Sequence, residues 1–458
     1  MKALLCNGPG VSAIGFSPSA RTGRSLERPL GDQGQSATMS ERATESVLRS
    51  PGIPHLLTVG AFCFAGLALL LPVSPAWAVA GGADEFGAGL VTAVLMAATV
   101  LAQLCVRTAL RTIGWPRTLA LGALLLGLPA LLQSLSDHLV PILVTTALRG
   151  AGFGIVTVCG ATAAAALAPR GRQGAAIGLY GLAVALPQVV LTPAAPWLMG
   201  TFALPAIVAC GVLPVLALPW TRALGRAVEA RTDGPPTQDG RTGHPAPAAT
   251  VLRRILLPLT VLLLVTAAGG AVLTFAPQFT STPALAATGL LALTATAALA
   301  RWGCGELADR IALRPITALL ASTACAGLAL IALAVGSDGE TVLPLLAGLL
   351  LLGTAYGGLQ SLTLVQAFDL AGTEDRHVTS VAWNIGYDAG TGLGSLALGL
   401  AAQAATFSTG FAVMSAVMAA VVPAVILTPG RPGGRTTGDR PRTRDRTRRS
   451  PARPRKRP

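Results

Sequence analysis

The stretch Gly305-Glu-Leu-Ala-Asp-Arg-Ile-Ala-Leu-Arg314 is a short cationic connection between two long apolar runs, at 284–303 and 315–336. The same alternation of apolar run and polar gap extends through the chain in both directions. Every second gap carries arginine, whereas the gaps between them hold acidic residues or no charge, and both terminal segments are basic. Of 34 lysines and arginines, Arg149 alone falls outside this distribution. Sorting of cationic loops to one side predicts a chain that crosses a bilayer repeatedly, with both termini in the cytoplasm.

The composition also indicates an integral membrane protein. The 458 residues are 52% hydrophobic and 12% charged, and the mean hydropathy of +0.62 is too high for a soluble globular protein of this size. Lipid offers no partner for open backbone groups and the runs lack a two-residue alternation, so we predict helices. Twelve runs have a suitable length: 55–78, 86–106, 118–134, 139–161, 174–199, 201–219, 255–276, 284–303, 315–336, 341–365, 378–401 and 406–428.

These runs predict an all-α integral membrane fold of twelve transmembrane helices in two six-helix bundles. The longest polar gap separates the halves and has the composition of a linker. No aromatic residue interleaves with the arginines of the last segment, so the net charge of +14 does not indicate a nucleic-acid partner. The predicted domains are a disordered cytoplasmic extension (1–52, with Met1 or Met39 as the start), bundles at 53–220 and 255–428, a cytoplasmic linker (221–254) and a basic disordered cytoplasmic tail (429–458).

The two halves repeat each other. Arg149-Gly-Ala-Gly-Phe-Gly154 in the fourth run matches Leu352-Gly-Thr-Ala-Tyr-Gly357 in the tenth, with the glycines and the aromatic residue in register. Such duplication is typical of secondary transporters, whose halves move around a central binding site. The chain has no Walker-type phosphate loop, no His/Cys spacing suited to a metal and no Ser/His/Asp arrangement. We therefore expect no enzyme activity, cofactor or metal, and transport driven by an ion gradient.

The connection at 305–314 resembles the cytoplasmic signature Gly-x-Leu-Ala-Asp-Arg-x-Gly-Arg-Arg of the major facilitator superfamily. Leu307 and Ala308 match it, as do the four residues Gly305, Asp309, Arg310 and Arg314, while Ala312 replaces the second glycine. The resemblance implies that these four matching residues form a cytoplasmic gate. A negative charge is favourable at the positive end of a helix, which gives such a gate a physical basis. The equivalent gap in the first half is degenerate, and no gate role is transferred to it.

Other features resemble the drug and metabolite efflux branch of that superfamily. The fourth run has Thr146-Ala-Leu-Arg-Gly150 where efflux members have Arg-x-x-Gln-Gly, and the fifth run contains Pro187, Pro193 and Pro196. The resemblance implies a monomeric plasma-membrane antiporter that exports a small hydrophobic or weakly charged compound by alternating access, with protons as the coupling ion. Two alternatives remain open: proton-coupled uptake of a small nutrient, and a non-transporting scaffold or receptor whose basic tail binds a partner.

Arg149 and Asp388 are the candidate residues for proton coupling. Each lies about ten residues, or roughly 15 Å, inside its run, where a charge must face a bundle interior or a wet cavity. We predict that Asp388 exchanges the proton and that Arg149 biases this exchange or binds an anionic group of the substrate. In the alternative, Asp388 bonds Asn384 or a neighbouring helix and Arg149 bonds backbone carbonyls, so both only support packing. Five further side chains line the cavity or only pack: Phe153, Gln188, Tyr356, Gln360 and Asn384.

Overall fold

The structure is a computed structural model that describes residues 47–169, 172–232, 247–307, 312–337, 341–372 and 375–427. All the regular structure in these ranges is helical. A 3₁₀ segment, Cys210–Ala217, joins α5 to α6. The helices are α1 Ile53–Ala80, α2 Glu85–Gln133, α3 Leu139–Leu167, α4 Gln173–Thr201, α5 Leu204–Ala209, α6 Leu218–Thr232, α7 Ala248–Arg254, α8 Leu256–Phe279, α9 Pro283–Leu307, α10 Leu313–Gly336, α11 Val342–Ala371, α12 Arg376–Ala404 and α13 Phe407–Leu427.

The predicted fold class, twelve spans in two six-helix bundles, is confirmed. Ten helical segments of the described residues are long and apolar enough to cross a membrane. One of them, α2, has 49 residues and covers two predicted runs, while α5, the 3₁₀ segment and α6 together form the sixth span. The remaining span is α12, whose hydropathy is lowered by polar residues such as Asn384 and Asp388. These two side chains therefore stand out within an otherwise apolar fold.

The predicted gap at 107–117 is largely helical. Gly114, with φ of 78° and ψ of 171°, is the non-helical residue at which the two spans of α2 meet. The Trp115 backbone N–H donates to Glu229 Oε1 of α6 at 3.0 Å, so a carboxylate caps the second half of α2. The helix α6 continues past the predicted end of the first bundle at 220 because Leu224 and Val228 are fully buried in that bundle.

The sequence repeat between the halves corresponds to a repeated helix contact. In α3, Gly150 and Gly154 lie against backbone carbonyls of α2; in α11, Gly353 and Gly357 lie against backbone carbonyls of α9. A Cβ atom at Gly357 would collide with the carbonyl group of Ala297. Small residues four apart let membrane helices approach at backbone distance. The glycines in register thus place equivalent helices of the two bundles in equivalent contacts.

The two bundles meet mainly where α2 packs on α12 and α4 packs on α9. We call the helix ends next to residues 232 and 248 the linker side, and the ends at 81–84, 280–282 and 405–406 the far side. On the far side α2 and α12 are in backbone contact, since a Cβ at Gly399 would meet the carbonyl group of Glu85. Gln403 Nε2 donates to Asp84 Oδ2 at 2.5 Å at the same end. The bundles are therefore closely packed on the far side.

A hydroxyl network continues this contact inward. Thr92 of α2 bonds Thr274 of α8 at 2.9 Å, and Thr274 bonds Ser395 of α12 at 2.9 Å. All three residues are buried. Because buried hydroxyl groups need partners, this chain of bonds fixes the relative positions of α2, α8 and α12.

Candidate functional site

Asp388 lies at the contact between the two bundles. It is a residue of α12 with 5% of its surface exposed, and its Oδ2 accepts a hydrogen bond at 2.8 Å from Gln103 Nε2 of α2. The alternative partner considered from the sequence, Asn384, is exposed and instead donates to the Ser380 carbonyl oxygen at 2.8 Å. The carboxylate of the second bundle is thus held by an amide of the first bundle.

Arg149 lies inside the first bundle, where it is 1% exposed. Its Nη1 donates to Ser74 Oγ of α1 at 3.2 Å and to Gln133 Oε1 of α2 at 3.4 Å. These partners are side-chain oxygens, whereas the packing alternative expected backbone carbonyls. Asp388 instead accepts its hydrogen bond from Gln103 at the contact between the bundles. Arg149 and Asp388 therefore form no ion pair. The buried Nε of Arg149 and Nε2 of Gln133 have no hydrogen-bond partner.

A cavity of about 100 Å³ lies between the bundles. Its walls come from α1 and α4 of the first bundle and from α8, α9, α11 and α12 of the second. The lining includes three of the five predicted cavity residues: Gln188, Tyr356 and Gln360. Of the other two, Phe153 packs edge-on against Phe64 at a centroid distance of 5.3 Å in the core of the first bundle. Asn384 is exposed outside the cavity lining.

Arg301 also lines this cavity, although the charge pattern groups it with Arg310 and Arg314 of the cytoplasmic connection. The helix α9 continues to Leu307 and carries Arg301 within it. Its Nη1 donates to Gln360 Oε1 at 3.2 Å, and Ser361 Oγ donates to the Arg301 carbonyl oxygen at 2.8 Å. The sequence does contain an indication that Arg301 belongs to the helix, because residue 301 still falls inside the apolar run that ends at 303. The cavity therefore contains a guanidinium group that charge sorting alone assigns to the cytoplasm.

A pair of tyrosines forms another polar part of the lining. Tyr356 of α11 and Tyr387 of α12 share a hydrogen bond of 2.8 Å between their hydroxyl groups. Trp383 stacks on Tyr387 at a centroid distance of 5.8 Å and anchors its own indole N–H on Thr363 Oγ1 at 3.3 Å. The two hydroxyl groups carry two protons and use one of them in this bond. The proton of the other hydroxyl group is therefore available for a hydrogen bond to another group.

The predicted gate residues are partly described. Gly305 is exposed near the end of α9. Arg314 donates through Nη2 to the carbonyl oxygens of Val425 at 3.4 Å and Ile426 at 3.2 Å, at the C-terminal end of α13. A cation at open carbonyl groups is favourable at that end of a helix. Asp309 and Arg310 lie outside the described residues.

A larger recess of about 620 Å³ lies between α8 and α12 towards the linker side. Its lining is apolar apart from Thr260 and includes Leu256, Leu263, Val381 and Ile385. Leu256 is 62% exposed, as expected for a residue at the edge of the protein that faces lipid. None of the described residues that line the recess is charged, so none of them can orient a ligand by its charge. The smaller cavity between the bundles is therefore the better candidate for specific binding.

Twelve spans in two bundles, with a cavity lined by both, define the architecture of a secondary transporter. This chain belongs to the Major Facilitator Superfamily, because the sequence model of that family matches residues 56–395. It is thus a membrane transporter and not an enzyme. In the described residues, no group of three or more His, Cys, Asp or Glu side chains is placed to hold a metal ion.

Solved structures of transporters share this fold. A single-residue variant of the nucleoside transporter NupG has a TM-score of 0.67 at 12% identity, covering 82% of this chain and 99% of that chain. The inward-open xylose transporter XylE from E. coli has a TM-score of 0.65 at 12% identity, covering 83% and 96%. A bacterial homologue of the human lysosomal transporter Spinster, inward-facing and unoccupied, has a TM-score of 0.61 at 13% identity, covering 82% and 94%. No curated protein matches the chain by sequence.

Proposed function

We propose that this chain is a proton-coupled exporter of a small, largely apolar compound, acting as a monomer in the plasma membrane with its linker side in the cytoplasm. The observation that carries the coupling part is the bond between Asp388 and Gln103. A buried carboxylate is costly unless its charge is compensated or it takes up a proton. Placing it between the moving halves links its protonation to their motion.

Alternating access requires the far side to open. Opening separates α2 from α12, which breaks the contacts of Asp84 with Gln403 and, further in, of Gln103 with Asp388. Water then reaches the carboxylate and replaces the amide as its partner. A carboxyl group whose solvation and hydrogen bonds change in this way exchanges its proton with the side to which it is open. The proton enters from outside as the compound leaves.

The compound itself binds in the cavity between the bundles, where Gln188 of the first bundle faces Tyr356 and Gln360 of the second. Contact with both bundles is what allows a ligand to bias the equilibrium between two arrangements. Arg149 is assigned to the internal packing of the first bundle in this mechanism. Gly305, Asp309, Arg310 and Arg314 are assigned to the cytoplasmic gate.

The test compares cells that carry the wild-type chain with cells that carry an empty vector. We expect lower accumulation of radiolabelled weak acids and neutral apolar compounds in the expressing cells, and equal accumulation after a protonophore collapses the gradient. Asp388→Asn should abolish the difference. Asp84→Asn is the matched control, because Asp84 is also a carboxylate bonded by a glutamine between α2 and α12, but at the exposed far end.

The outcomes separate the competing functions. Export that persists in Asp388→Asn at equal expression would remove Asp388 from the coupling mechanism. Higher accumulation in expressing cells would instead establish uptake, a direction that the architecture supports equally well. An equal level in all strains, with or without residues 431–458, would favour the scaffold alternative.

A further inference from the structure

We propose that the transported compound is a small organic anion, and that Arg301 binds its carboxylate or a chemically similar oxyanion. This inference rests on the proposed transport function and names its substrate class. The sequence offered Arg149 as a residue that biases proton exchange or binds an anionic group of the substrate. Arg149 is enclosed in the first bundle by Ser74 and Gln133, whereas Arg301 faces the cavity that both bundles line.

The charge of Arg301 has no acidic partner among the cavity side chains that the structure describes. Among the described residues, those that line the cavity include no aspartate and no glutamate. The hydrogen bond from Arg301 goes to the neutral amide of Gln360, and the arginine keeps more than a third of its surface exposed. A guanidinium group has five N–H donors and matches a carboxylate in a two-pronged geometry. Its remaining donors are thus available to an anionic ligand.

The neutral side chains around Arg301 also supply donors. One hydroxyl proton of the Tyr356–Tyr387 pair is not used in their mutual bond. Gln188 Nε2 makes a long bond of 3.5 Å to its own helix, and Gln360 Nε2 has no partner although it is buried. A site with an excess of donors favours a ligand that is rich in acceptor oxygens. A cationic ligand would instead be repelled by Arg301, and it would find no carboxylate among the described lining residues to pair with its charge.

The rest of the lining sets the shape of the anion. Apolar side chains of both bundles surround the polar groups and can cover the body of the ligand: Leu67, Leu71, Val189, Leu273 and Leu293. An apolar cavity of about 150 Å³ is known to hold benzene. The smaller volume of about 100 Å³ here therefore accepts an anionic head group with an apolar body smaller than an aromatic ring. Short aliphatic acids therefore fit this class.

The experiment measures binding to the purified full-length chain in lipid nanodiscs. The probes are matched sets in which only the head group changes: propionate, propionamide and propylammonium, and butyrate, butyramide and butylammonium. We expect the carboxylate to bind about ten- to a hundredfold more tightly than the amide, as one or two charge-assisted hydrogen bonds predict. The ammonium compounds should bind most weakly.

Variants assign the preference to one side chain. Arg301→Gln should abolish the preference, so that the carboxylate and the amide bind with about equal affinity. Arg301→Lys should retain part of the preference, because lysine keeps the charge but not the planar geometry. Arg222→Gln, which removes an exposed arginine of α6, is the control and should keep the full preference. Tyr387→Phe should lower carboxylate affinity by about two- to tenfold, since one neutral donor is lost.

Two results would overturn the proposal. One is the absence of a carboxylate preference in the wild-type chain, either because amides bind equally well or because no carboxylate binds. The other is a full preference in an Arg301→Gln variant that has the wild-type elution profile and thermal unfolding. Asp388→Asn separates this proposal from proton coupling, because it should lose coupled transport and keep the anion preference.

Discussion

Gln103 and Asp388, 285 residues apart in the chain, are joined by a hydrogen bond of 2.8 Å that crosses from the first bundle to the second. A second pair of the same chemistry, Gln403 with Asp84, joins the same two helices at the far side. In the first pair α2 supplies the amide, and in the second it supplies the carboxylate. One pair is largely buried and the other exposed, so the chain contains its own comparison between a candidate coupling contact and a surface contact.

Removing the amide tests that comparison. Gln103→Leu leaves Asp388 buried without its donor, and we expect the rate of proton-coupled transport to fall about tenfold, since a hydrogen bond to a charged group contributes about 1.5–3 kcal/mol. Gln403→Leu removes the equivalent donor at the exposed end and should change the rate by less than about twofold. Rates are measured in proteoliposomes with an imposed proton gradient. Equal effects of the two substitutions would show that burial of the Asp388 pair has no special role.

The glycines of the repeated contact predict a difference in stability. Gly357→Ala places a methyl group against the Ala297 carbonyl group, and overpacking of this kind costs about 1–3 kcal/mol. Gly303→Ala is the matched control because no heavy atom lies within 4 Å of the added Cβ in α9. That change should be neutral or stabilising, since alanine is the better helix former. Thermal unfolding in detergent measures both, and equal midpoints would contradict the close contact of α9 with α11.

Arg149 allows a test of how the first bundle is held together. Arg149→Ala leaves a cavity and removes the donor to Ser74 and Gln133, so we expect a loss of about 2–5 kcal/mol in the free energy of unfolding. Arg149→Met should lose less, because methionine fills most of the volume and removes a charge that no carboxylate compensates. Thermal unfolding of the two purified variants provides the comparison. A larger loss for methionine than for alanine would indicate that the charge itself is stabilising.

The spans could be predicted from the sequence because lipid imposes a strong requirement on them. A helix that crosses the hydrocarbon region must be long and apolar, which makes each run visible without knowledge of its neighbours. The same geometry predicts that a charge well inside a span faces the protein interior, and both Arg149 and Asp388 are buried. The glycine repeat was also readable, since backbone contact between helices admits few other residues.

The partners in the site could not be read in this way. The bond of Asp388 to Gln103 depends on the register of α2 against α12. That register is set by packing between segments that are far apart in the sequence. Helices that are apolar on all sides give no periodic signal for the face that meets the cavity. For this reason the sequence leaves open whether Phe153 lines the cavity or only packs, and the structure places it in the core of its own bundle.

Arg301 shows the limit of charge sorting. The rule places arginines in cytoplasmic loops, and residues 301, 310 and 314 were grouped together on that basis. The helix α9 instead extends to Leu307, so that the side chain of Arg301 reaches Gln360 in the cavity. The end of an apolar run therefore does not mark the end of the helix, and a cation near that end can belong to the binding site.

The most direct test of alternating access is a reversible cross-link on the far side. In a chain whose seven native cysteines are replaced, Asp84→Cys and Gln403→Cys are joined by a short reducible bis-thiosulfonate linker. The control pair, Ala332→Cys and Ser408→Cys, lies on the same side but within the second bundle, where Ser408 Oγ bonds the Ala332 carbonyl oxygen at 2.7 Å. We predict that linking residues 84 and 403 stops transport, that reduction restores it, and that the control pair transports in both states. Undiminished transport with residues 84 and 403 fully linked would contradict the account.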